Sequence, residues 1–202
     1  MAAATLVVAA GCEDDDDNIT GPGGAVGIDL SNDVGVLNFA YALEQLEAAF
    51  YTQVASSFYA GVTADEKAML TDIRDHEIGH REFFKAALKA NAIAALEPDF
   101  SSIDFNDRAS VLGTAKVFEN TGVGAYNGAG PLLTNADYLT EAGKIVSVEA
   151  RHAAAIQQAL NGFVLIQPTE MRGFDLALTP TTVLSMVDPY IRTTITLQNA
   201  PA

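Results

Sequence analysis

The chain has one cysteine, three histidines and 11 basic residues against 26 acidic ones. A single cysteine excludes an intrachain disulfide and any CxxC pair of the kind that holds a rubredoxin-type iron. No apolar run approaches the roughly 18 residues of a spanning helix, so a transmembrane helix is excluded. The net charge of −15 disfavours nucleic acid and anionic membrane surfaces as partners, because both attract faces rich in Lys and Arg. It suits a protein that attracts cations. A length of 202 residues makes one domain the default, and a hydrophobic fraction of 49% is enough for a sizeable core.

Two of the three histidines fall in a repeated unit. Glu77-Ile78-Gly79-His80 and Glu149-Ala150-Arg151-His152 are both Glu-x-x-His, and each lies in a stretch with helical apolar spacing. Positions i and i+3 share one helix face, so each unit aims a carboxylate and an imidazole the same way. A lone glutamate precedes each unit on a separate helix, Glu44 33 residues before Glu77 and Glu119 30 residues before Glu149. Seven residues after each lone glutamate stands a tyrosine, Tyr51 and Tyr126. The chain therefore reads as one helical hairpin used twice. Four glutamates and two histidines are what a four-helix bundle uses to hold two iron or manganese ions.

The run Leu6-Val7-Val8-Ala9-Ala10-Gly11-Cys12 looks like a bacterial lipoprotein signal without its basic start. It places residues 1–12 as a signal and Cys12 as a lipid anchor in the cell envelope. Residues 13–30 open with five acids and continue through Gly21-Pro22-Gly23-Gly24, which reads as a solvated tether. Helix one is expected from Asn32 or Asp33 to about Phe58, with the stripe Leu37, Tyr41, Glu44, Ala48, Tyr51 and Ala55. Glu44 sits on that apolar stripe, where a carboxylate is costly unless paired or metal-bound. Glu47, one turn on, is its rival, or else a residue at the rim of the site. Thr63-Ala64-Asp65-Glu66 is a capping box. It opens helix two, whose stripe runs through Met69, Ile73, Glu77, His80, Phe84 and Ala87 to about Asn91. His76 points about 100° away from Glu77, towards the surface or the flank of the site.

Residues 92–107 make a long connection. Helix three spans roughly 108–126, with Gly113, Gly122 and Gly124 inside it. Each costs about 1 kcal/mol against Ala, and their clustering past Glu119 points to a kink, a π-bulge or a close helix contact. Asn127-Gly128-Ala129-Gly130-Pro131 is expected to break it. Helix four follows Asn135 to about Leu160, with Leu139, Ala142, Val146, Glu149, Ala153 and Ile156 on one stripe and His152 beside it. Residues 163–202 read as an irregular tail over the bundle, with a short helix from Thr181 to Val187 and a β-prone run from Thr193 to Leu197. The fold class is all-α: a four-helix bundle over 31–162 with one long crossover between helices two and three, the ferritin-type arrangement.

The segments from Asn38 to Tyr51 and from Glu119 to Tyr126 resemble the ferritin-like proteins grouped with the plant desiccation-related proteins. The wider superfamily includes ferritins, bacterioferritins, rubrerythrins and manganese catalases. The resemblance implies Glu44, Glu77, His80, Glu119, Glu149 and His152 as ligands of two iron or manganese ions, with oxygen or peroxide as partners. Tyr51 and Tyr126 would relay electrons or hydrogen-bond a ligand, or else fill core space. Three readings stay open: an oxidoreductase of the ferroxidase, peroxidase or manganese-catalase kind, a metal-binding stress or desiccation protein with little turnover, and a structural bundle whose carboxylates pair with Arg74, Arg81 or Arg151. A homodimer is compatible with all three. An acidic tether and a lipid anchor argue against an iron-storage cage.

Overall fold

A computed structural model describes residues 24–162 and 173–201. The candidate signal, Cys12, the acidic run and part of the expected tail, 163–172, lie outside the described residues.

Four long helices carry the architecture: α1 Asp33–Ser56, α2 Ala64–Leu88, α3 Arg108–Ala129 and α4 Ala136–Asn161. Each begins where a side chain satisfies a free backbone N–H of the first turn. The caps are Asn32 to Gly35, Thr63 to Glu66, Asp107 to Ser110 and Asn135 to Asp137. Thr63 and Glu66 close the expected capping box reciprocally. Helix α4 stops at Gly162, whose φ of 73° favours glycine.

Three contacts fix the directions of the helices. The turn after α1 meets the chain just before α3, where Ala60 N–H donates to Asn106 O. Arg108, opening α3, donates to Glu66 at the start of α2 and to Ala159 O near the end of α4. At the other end Asp33, opening α1, accepts from Thr134 and Asn135 in the turn before α4. Helix α1 thus runs one way, α2 and α3 run back, and α4 returns parallel to α1. The segment between α2 and α3 must therefore travel the length of the bundle, as the one long crossover requires. It is pinned to α1 on the way: Asn38 bonds Asn91 O and Ile93 N, and Gln45 accepts from Leu96 N.

The termini depart from the sequence reading. The expected tether over 13–30 ends earlier, because Ala25–Asp29 is a strand, β1. Its partner is β2, Thr194–Gln198, one residue on from the expected β-prone run, and the two pair in parallel with Ala25 opposite Thr194. The physical reason is alternation: Val26, Ile28 and Leu30 are buried while Ala25 and Gly27 face out. The short helix expected from Thr181 to Val187 is present as α5, Pro180–Val187, and packs on α3. Leu139 is exposed rather than on the buried stripe of α4, which runs Ile145, Glu149, His152 and Ile156.

Helix α3 does not break at Asn127; it continues to Ala129 and gives way at Gly130-Pro131. Of the three expectations for its glycines, close contact holds at Gly124, and Gly128 shares it, although the partner is the C-terminal segment and not a helix. A Cβ on Gly128 would lie 1.8 Å from Leu178 O, and one on Gly124 would lie 2.6 Å from the Leu178 side chain. Leu178 N–H donates to Gly124 O across the same seam. Gly128→Ala is therefore expected to lift the C-terminal segment and cost about 1–3 kcal/mol. Gly113→Ala, with nothing within 4 Å, should be neutral or gain up to about 1 kcal/mol. Thermal melts of the two variants check the pair.

Candidate metal centre

One glutamate from each helix reaches the bundle axis: Glu44 from α1, Glu77 from α2, Glu119 from α3 and Glu149 from α4, all at 0% exposure. Leu37, Tyr41, Glu44, Ala48 and Tyr51 of α1 all lie in the core, so the carboxylate is carried inward with them. His80 and His152 follow their glutamates by three residues and turn Nδ1 into the same space. His80 Nδ1 lies 3.0 Å from Glu149 Oε1, 3.3 Å from Glu44 Oε2 and 3.4 Å from Glu77 Oε2. His152 Nδ1 lies 2.8 Å from Glu77 Oε1, 3.4 Å from Glu119 Oε2 and 3.9 Å from Glu149 Oε2.

These residues fall into two groups whose ligand atoms lie within 4.8 Å of one another: Glu44, Glu77, His80 and Glu149, and Glu77, Glu119, Glu149 and His152. Glu77 and Glu149 belong to both. The inward oxygens and the two Nδ1 atoms are buried and satisfied by no hydrogen bond. Each imidazole nitrogen instead faces three carboxylates at similar range, the arrangement expected around a cation rather than along a directed hydrogen bond. Buried polar atoms are nearly always satisfied, and an unpaired buried carboxylate is strongly unfavourable. The residues present therefore fit a metal ion.

Pairing with arginine does not explain the cluster. Arg74 is taken by Asp75, Arg81 by Glu82, and Arg151 donates to Ser147 O.

The two tyrosines cross between the halves of the bundle. Tyr51 of α1 donates to Glu119 Oε1 of α3, and Tyr126 of α3 donates to Glu44 Oε1 of α1. Each phenol holds one oxygen of a glutamate so that the other turns inward. Burial and the neighbouring carboxylates push both phenol pKa values well up, so both remain donors.

Burial dominates the electrostatics. It raises the Glu119 and Glu149 carboxyls to about 8, against the opposing pull of the Tyr51 phenol and of the nearby His80 ring respectively. It pushes Glu77 well above the ordinary range, aided by Glu149 and Glu44. On His80 burial disfavours the charged ring, but the carboxylates of Glu149 and Glu44 outweigh it and raise the imidazole to about 10. On His152 burial wins and the value falls.

One residue acquires weight that its spacing did not assign. His76 Nδ1 stands 2.9 Å from His152 Nε2, with the rings nearly parallel at 17°. Its rotation of about 100° from Glu77 had placed it only at the surface or the flank of the site, whereas its i−4 offset from His80, on the same helix face, was the signal available. When His152 Nδ1 is a ligand its Nε2–H donates to His76, which thereby holds the ring. His76→Ala is expected to weaken metal binding at the group containing His152 roughly ten- to hundredfold, leaving the His80 group less affected. Stepwise metal titration of chelator-stripped protein reads the difference. Glu47, the rival named for α1, is 4% exposed yet lies outside both groups, so Glu44 stands with the candidate ligands of α1.

The family comparison agrees with this geometry. A family model described as a ferritin-like domain matches residues 32–162, the four helices and their crossover. No curated protein matches the chain in sequence.

Proposed function

Because the chain belongs to the ferritin-like domain family, and its residues form two donor sets with two carboxylates in common, we propose that it holds a dinuclear iron or manganese centre that reacts with oxygen or peroxide. The observation carrying this reading is the set of buried, unsatisfied ligand atoms that divides evenly between the two groups. Mixed carboxylate and imidazole donors suit divalent iron and manganese. Glu77 and Glu149 would each give one oxygen to either ion, Glu44 and His80 would complete one set, and Glu119 and His152 the other. Such a pair, when bound, supplies two coupled one-electron changes and a place for a small oxygen ligand.

The chain's own part is positioning and exclusion. Tyr51 and Tyr126 orient the terminal carboxylates and keep a proton beside them. The four carboxylates are closed to solvent, which admits only a small substrate. An apolar cavity lined by Phe39, Leu43 and Phe84 also has in its wall Tyr126, the residue whose phenol donates to Glu44, and a small neutral molecule fits that lining better than an organic acid. The expected envelope location and lipid anchor at Cys12 would make the role protective against peroxide or free iron outside the cytoplasm.

Peroxide turnover tests the reading. Protein loaded with manganese or iron should consume peroxide well above the free metal, and Tyr126→Phe should keep its metal while slowing turnover roughly ten- to hundredfold. Metal uptake with no turnover under either metal would leave the metal-holding stress protein instead.

A further inference from the structure

The apolar cavity beside Tyr126 lies at one end of the bundle and draws on all four helices. Leu37 and Leu43 of α1, Phe84 of α2, Ala129 of α3 and Ala142 of α4 stand in its wall. It offers about 20 Å³, a little more than the roughly 10–15 Å³ that one water-sized guest needs. Towards the bundle axis, Leu43 precedes Glu44 in the chain, and the Tyr126 hydroxyl donates to that carboxylate. Towards solvent the wall includes Gly130, where an added Cβ would lie 3.7 Å from Leu139 Cδ1. Leu139 is 47% exposed, so the cavity's neighbour on the wet side is an apolar side chain.

The lining decides the guest. Among the described residues around the cavity, only Tyr126 has a polar side chain, and its hydroxyl proton is committed to Glu44. A water there would need about two to four polar partners, more than one committed hydroxyl supplies. Hydrogen peroxide has two O–H groups, and both lose their hydrogen bonds to water on entering an apolar wall. Dioxygen has neither charge nor donor, and transfer of an apolar molecule from water into apolar surroundings is favourable. Cavities of this kind stay dry and take up apolar guests such as xenon. We propose that the cavity is a docking site for dioxygen beside Tyr126, entered past Leu139, and that it delivers dioxygen to the dinuclear pair in preference to peroxide. This rests on the dinuclear reading above and chooses between the two oxidants left open there. Peroxide would reach the pair by another side of the bundle.

Xenon reads the cavity without any metal. Crystals of chelator-stripped full-length protein under xenon pressure should show a xenon atom in contact with Leu37, Phe84 and Tyr126. Ala129→Leu, which fills the space with an apolar side chain and keeps every candidate ligand, should abolish it. Ala142→Leu fills the space from α4 and serves if the first variant does not fold. Anaerobic protein loaded with Fe2+ is then mixed in stopped flow with dioxygen or with peroxide, and absorbance follows oxidation of the bound ions, one electron from each. The filled variant should be oxidised by dioxygen at least about tenfold more slowly, because entry now requires side chains to move. Its rate with peroxide should equal that of the wild type. An unchanged dioxygen rate overturns the proposal, with or without xenon bound, and so does equal slowing with both oxidants. A wild type that takes up no iron overturns the dinuclear reading instead, and delivery to a metal pair falls with it even where xenon still marks the cavity.

Discussion

Glu149→Gln should raise the melting temperature of the metal-free protein and abolish binding of both ions. Glu149 is fully buried, shared by both donor groups, and surrounded by other carboxylates. Without metal its negative form is desolvated and repelled by Glu44 and Glu119. An amide of the same shape removes that charge above about pH 8, and below it removes the cost of taking up a proton on folding. Relief of a poorly compensated buried charge is worth about 1–4 kcal/mol, which in a chain of this size corresponds to roughly 2–15 °C. With metal present the order reverses, because only the wild type gains the stabilisation that ligand binding gives the folded state. A structural bundle would behave in the opposite way: the substitution would lower stability with or without metal. Melts of both proteins with chelator and with Mn2+ give the four numbers needed.

The second large effect is on pH. In metal-free protein the Glu119 and Glu149 carboxyls are held at about 8, mainly by burial, against about 4.3 for an unfolded glutamate. Between those values the folded chain keeps protons that the unfolded chain has released. Stability is then highest at the acid end of that window and is lost as pH rises through about 8. His80 works in the same direction, since its imidazole is raised to about 10 despite burial. The metal-free protein should therefore melt at a lower temperature at pH 8.5 than at pH 5.5. Metal-loaded protein should run the other way, because binding requires deprotonated carboxylates and a neutral imidazole and so tightens with pH. Two melting curves that diverge as pH rises are the expected signature. Parallel curves would mean that these carboxylates do not hold the metal.

Much of this was legible in the sequence because the bundle repeats itself. The doubled Glu-x-x-His, each unit preceded by Glu and Tyr at matched offsets, anticipated that Glu44, Glu77, His80, Glu119, Glu149 and His152 converge, with Tyr51 and Tyr126 against them. Helix starts were readable because caps are local: Asn32, Thr63 and Asn135 all cap as side chains. What escaped was what depends on distant partners. The glycines past Glu119 read as a kink, a π-bulge or a close helix contact, but their spacing could not name Leu178, some 50 residues away in sequence, as what Gly124 and Gly128 meet. Strand β1 is only five residues and has meaning only beside β2 at the other end of the chain. The His76–His152 contact joins α2 to α4, and no spacing within one helix encodes it.

The most direct test is diffraction from crystals of the metal-loaded protein, with anomalous data collected across the iron and manganese edges. The dinuclear account predicts two anomalous peaks per chain about 3.5–4 Å apart, both in contact with Glu77 and Glu149, with His80 on one and His152 on the other. A single peak, or metal found only on the acidic surface with the six buried residues unliganded, would contradict it.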